Sequence, residues 1–197
     1  MATSESRANA EKGTASMKDH SRSLARMRLA LAATYRTYVE RCRKAQATTM
    51  IPNSSVGHAA VVIANLLEHA AETHGSIRLV SGELAQEVYG ELTPLVRKAL
   101  KANCDLKVVV HCEHDRLIDN PFFEAVRAEA PKSIRSLGVD LDAGTHFMLV
   151  GDGAYRVEVD DRTRKASACF NDQSGLVTPI LQAKFDKVWE MAREMAP

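Results

Sequence analysis

Apolar positions along the chain follow a helical period first and a strand period later. Between residues 19 and 47, Leu24, Met27, Leu31, Tyr35, Tyr38 and Cys42 recur at steps of three and four, which puts them on one face of a long amphipathic helix. Met50-Ile51-Pro52-Asn53-Ser54-Ser55 interrupts it, because proline cannot continue a helix and asparagine or serine can cap the next. A second helix over residues 55–73 is apolar through Val61, Val62, Ile63, Leu66 and Leu67, which predicts burial on more than one side, with Gly75 as its stop. Residues 77–80 and 106–110 then read as strands around a helical stretch, 83–102, that is kinked near Gly90 or split at Thr93-Pro94. Strand, helix, strand in this order predicts a right-handed crossover and a parallel pair.

Beyond Asp119-Asn120-Pro121 the pattern predicts a helix over 122–130 and a short strand within 136–141. A hairpin follows, 146–150 and 154–159, turning at Gly151-Asp152-Gly153. Residues 167–171 add a further antiparallel strand, and a closing helix over 176–195 turns Leu181, Phe185, Val188, Trp189 and Met191 to the sheet. Residues 1–18, rich in small and charged side chains, read as a flexible tail. The fold class is therefore α/β: N-terminal helices over 19–74, then a mixed sheet flanked by helices over 75–197.

Composition narrows the function classes. The 26 basic and 25 acidic residues nearly cancel, so any field that attracts a nucleic acid must be local. It has one source: Arg22, Arg26, Arg28, Arg36, Arg41, Arg43 and Lys44 crowd the first helix against Glu40. Three uses compete for that helix: a solvated face, phosphate contact, or a partner seam in which Leu31 and Tyr35 meet a second copy. Aromatic residues are only 5%, which disfavours a stacking platform for single strands. No apolar run approaches the roughly 20 residues that span a bilayer. Four scattered cysteines without a Cys-x-x-Cys pair read as reduced thiols, and the expected location is cytoplasmic.

Among candidate chemical groups, His111-Cys112-Glu113-His114-Asp115 follows a strand and holds zinc-ligand types, which His146 and Cys169 would have to complete. Alternation along a strand opposes it, and a polar loop explains the cluster without a metal. Ser81-Gly82, before a helix, can offer backbone N–H groups to an anion, although most such junctions only cap the helix. No cofactor is implied.

Thr145-His146-Phe147-Met148-Leu149-Val150-Gly151-Asp152-Gly153-Ala154-Tyr155-Arg156, with Asn171-Asp172 later, resembles the phospholipase D-like family over residues 77–196. In that family a strand bearing His-x-Lys precedes an aspartate and an asparagine. Here His146 matches the histidine and Asn171 the asparagine, while Met148 stands where the lysine would clamp a phosphate and Asp152 is one residue short of the usual spacing. The resemblance thus implies a non-catalytic, regulatory or interaction module, self-associating as a homodimer. It would bind a ligand through His146, Ser81 and Arg156, and a protein or nucleic acid through the basic helix. The alternative is a dimeric phosphodiesterase or nuclease in which His146 of each subunit meets the other, assisted by Asn171.

Overall fold

A computed structural model describes residues 30–112, 114–138, 146–160 and 165–195. The expected tail, Arg22, Arg26 and Arg28, the first apolar positions Leu24 and Met27, and Glu113 lie outside the described residues, as do 139–145. The chain divides into two units, 1–38 and 39–197. In the first, residues 30–38 are helical, and Leu31 and Tyr38, seven positions apart, are 64% and 41% exposed. The second unit opens on a helix, α1, over residues 39–44.

Within residues 39–197 an eight-stranded mixed sheet has the order β1-β7-β6-β5-β2-β3-β4-β8. Its strands are β1 (Ile51–Asn53), β2 (Ile77–Ser81), β3 (Leu106–Val110), β4 (Ile134–Ser136), β5 (Phe147–Val150), β6 (Ala154–Asp160), β7 (Lys165–Cys169) and β8 (Arg193–Glu194). β2, β3 and β4 are parallel; β5 runs antiparallel to β2 and starts a meander through β6 and β7 to β1. The parallel pair and the Gly151–Gly153 hairpin thus form as the periodicity predicts.

The helices are α2 (Val56–Thr73), α3 (Gln86–Tyr89), α4 (Thr93–Lys101), α5 (Pro121–Glu129) and α6 (Val177–Met191). α2 lies against β5 and β6 and packs on α4, which packs on α5. On the other face, Leu181, Phe185, Val188 and Ala192, in and just after α6, bury against Val80, Val109, Phe147, Leu149, Tyr155 and Cys169. Every second strand residue therefore serves a different core.

Several ends differ from the periodicity. Residues 51–53 are not a bare break but an edge strand, where Pro52 is tolerated because an edge position need not donate to a ladder. α2 stops at His74 rather than Gly75: His74 takes the left-handed conformation (φ 53°), and its ring Nδ1 donates to the Ala102 carbonyl at 2.8 Å. Residues 83–102 are split, with a 3-10 turn at Gly90–Leu92 between α3 and α4. Thr93 does not cap α4; its hydroxyl donates to the Gly90 carbonyl. The third strand lies at 134–136, earlier than expected, and the last helix stops at Met191, where the chain turns to pair β8 with β4.

Phe185 is 1% exposed at the centre of the α6 core. Phe185→Ala is expected to destabilise the domain by about 3–5 kcal/mol in urea unfolding, since the cavity would be walled by strands that cannot collapse onto it.

Candidate ligand cavity at the β2–β5 junction

Ser81, His146 and Arg156, read separately along 75 positions of sequence, line one cavity of about 250 Å³. The sheet explains how. β2 ends at Ser81 and β3 ends just before His111, and both carboxyl ends open where antiparallel β5 begins, immediately after His146. Register then aligns Leu79 with Met148, and Met148 with Arg156, on the α2 face. Ser55, Val56, Ala59 and Ile63 of α2 and its cap close that side.

The electrostatic centre is Glu158, two residues beyond Arg156 and on the same face of β6. Its Oε1 accepts from Arg156 Nη2 at 2.8 Å, and its Oε2 accepts from His146 Nδ1 at 3.2 Å. Burial pushes the Glu158 carboxyl up, but the hydrogen bond from His146 and the charge and hydrogen bond of Arg156 outweigh burial and hold it below its ordinary 4.5. A carboxylate only accepts, so Nδ1 of His146 carries the proton.

Arg156 reaches further. Its Nε donates at 3.2 Å to Asn53 Oδ1 on β1, two strands away. β7 lies between, and it presents Ala166 and Ala168 at the positions registered with Asn53 and Ile51, small enough for the long side chain to pass over. On the other side, the His111 and His146 rings meet edge to face with centroids 5.9 Å apart. Gly82 lies against the His146 ring: a Cβ there would stand 3.4 Å from Cε1, so the bare backbone packs beside the imidazole. Tyr89 is hydrogen-bonded to Ser81, and its burial raises the phenol pKa.

Other sequence candidates lie elsewhere. Asn171 is not with His146. It sits by the hairpin turn, where the Asp172 N–H donates to the Gly153 carbonyl, at the far end of four-residue β5, roughly 13 Å or more from the histidine. Asp172 instead starts α6, with Oδ2 accepting from the N–H groups of Val177 and Thr178. Arg43 is not a surface phosphate ligand. It is 5% exposed, donates to Asn65 Oδ1 at 3.1 Å and pairs with Glu68 at 3.1 Å and with Glu72. Arg36 and Arg41 are exposed. Arg22 and Arg26 are outside the described residues.

Around His111 no metal set gathers among the described residues. His114 faces Phe123 and Arg127, and Cys169 belongs to the α6 core. The groups sequence reasoning missed are Glu158, Asn53 and Tyr89. Glu158 had a signal: it alternates with Arg156 and falls opposite His146 once the hairpin register is drawn.

No protein-family model and no curated protein matches the chain. Among solved structures the chain is similar to TrmBL2, an archaeal chromatin protein, with 12% identity and a TM-score of 0.55 over 97% of this chain and 67% of that one. At that identity the likeness is one of fold.

Glu158 is ionised in the folded protein at acidities where the unfolded chain takes up a proton. Its contribution to stability is therefore complete above about pH 5 and is lost as pH falls from 4.5 through the lower folded value. Glu158→Gln should cost about 1–3 kcal/mol at pH 7 by urea unfolding. The gap to the unmodified protein should narrow at pH values below that window; an unchanged gap would show that the pairs contribute nothing.

Proposed function

We propose that the chain is a non-catalytic regulatory module, in which a phospholipase D-like domain binds a small ligand and the basic N-terminal helix engages nucleic acid and a second copy of the chain. The observation that carries this reading is the double engagement of α2. Its first turns wall the cavity through Val56, Ala59 and Ile63, while its last turns grip Arg43 at the end of α1 through Asn65, Glu68 and Glu72. Occupancy of the cavity and the placement of residues 39–44 thus share one rigid element, the arrangement a ligand-responsive module needs.

Binding rather than turnover is supported by the cavity floor. Met148, 1% exposed, leaves no cation where the family's lysine would stand, and Arg156, its cross-strand neighbour, is tied to Asn53 and Glu158. The charge of Arg156 is already opposed by Glu158 at 2.8 Å, which weakens the field it could offer a transferring phosphoryl group.

The nucleic-acid partner is supported by the exposed Arg36 and Arg41 and by the fold shared with TrmBL2, a protein that binds DNA. Leu31 and Tyr38, one heptad apart, supply the apolar face for self-association.

Fluorescence anisotropy with a short duplex tests the nucleic-acid role. Affinity should fall steeply with salt, and Arg36→Glu with Arg41→Glu should weaken binding to all sequences alike and make the log–log salt slope shallower by about 2. Salt-insensitive binding, or none, contradicts it. Leu31→Glu should separately lower the mass seen by light scattering.

A further inference from the structure

The cavity contains one cationic donor with capacity left over. Arg156 carries five N–H groups. Asn53 takes the one on Nε and Glu158 takes one on Nη2, while Nη1 makes no hydrogen bond among the described residues. Yet Arg156 is 4% exposed, and it lines the cavity. Nη1 is not one of the fully buried polar atoms without a partner, so its N–H groups open to the space of the cavity. The neighbour across the strand is Met148, whose thioether is a weak acceptor.

Around Arg156 the cavity interior holds one carboxylate, Glu158, whose charge the guanidinium balances, and the imidazoles of His111 and His146; toward solvent Arg116 and Glu83, both exposed, face each other at 3.7 Å. The first turn of α2, on the same wall, holds no acidic residue. Ile63, Leu79, Val88 and Met148 supply an apolar surface beside these donors.

We propose that this cavity binds a compact organic anion, a phosphate monoester or a carboxylate. Its oxygens complete the hydrogen bonding of Arg156 Nη1, and its carbon skeleton lies against Leu79, Ile63, Val88 and Met148. Arg presents paired N–H groups that suit the oxygens of either acid. The volume, about 250 Å³, is below the roughly 300–1,000 Å³ of sites for drug-sized molecules, so the ligand is small and is not a polymer segment. The proposal rests on the regulatory reading and names the ligand class of its cavity.

Calorimetric titration of the full chain with glycerol, glycerate, glycerol 3-phosphate and inorganic phosphate tests it. Saturable binding of glycerate or glycerol 3-phosphate, tighter than inorganic phosphate and with no binding of glycerol, is the expected result; which of the two acids binds more tightly identifies the acid group. Arg156→Gln should weaken that binding at least tenfold. Because Arg156 also holds β1 and Glu158, a second variant keeps the test decisive: Ala59→Met fills the cavity from α2, leaves every polar group in place, and should abolish binding. Glycerol binding as tightly as the anions, no saturable binding of either anion, or unchanged binding in Ala59→Met would overturn the proposal. Loss of anion binding with salt-sensitive duplex binding retained defeats this inference alone, whereas anion binding without duplex binding defeats the nucleic-acid reading alone.

Discussion

The antiparallel pairing of β2 with β5 is the contact on which both the fold and the cavity depend. On one side of it stands a parallel unit, β2-β3-β4, built by helical crossovers; on the other stands a meander, β5-β6-β7-β1. Parallel strands deliver their carboxyl ends to a common edge, whereas an antiparallel neighbour delivers its amino end there. Ser81 and His111 therefore meet His146 although they come from opposite halves of the sheet. The hairpin then folds β6 back so that Arg156 and Glu158 face the same space.

That geometry makes one carboxylate accept from both a guanidinium and an imidazole N–H. Glu158 orders the His146 ring and holds Arg156, and Arg156 in turn reaches Asn53 over the alanines of β7. The chain of contacts begins in the cavity and ends at Asn53 on β1, two residues before the α2 cap, Ser55. α2 then returns to Arg43. The cavity and residues 39–44 are therefore joined twice, along the chain through residues 45–55 and through α2, whose Asn65, Glu68 and Glu72 hold Arg43.

Much of this order was legible in the residues themselves. Helical period identified α2 and α6, β-branched runs identified β2 and β3, and the Gly-Asp-Gly turn fixed the hairpin on which the cavity rests. β1 and β8 were not legible: strands of three and two residues carry no period, and Pro52 argues against a strand until an edge position is known. Arg43 could not be told from its neighbouring arginines by type. Its distinction is position, one residue after buried Cys42 and four after buried Val39, where helical spacing turns it to the core. Asn171 was misplaced with His146 because motif order carries no distance, and the two ends of β5 are far apart. Glu158 escaped notice because its partners are non-local in sequence, joined only when strand register is drawn.

Hydrolysis of a chromogenic phosphodiester by the purified chain, beside His146→Ala, tests the central claim that this cavity binds without turnover. The account predicts no hydrolysis above the His146→Ala background at any concentration of added divalent metal. Turnover by the unmodified chain that disappears in His146→Ala would contradict it, and would make the Glu158–His146 pair the core of an enzyme.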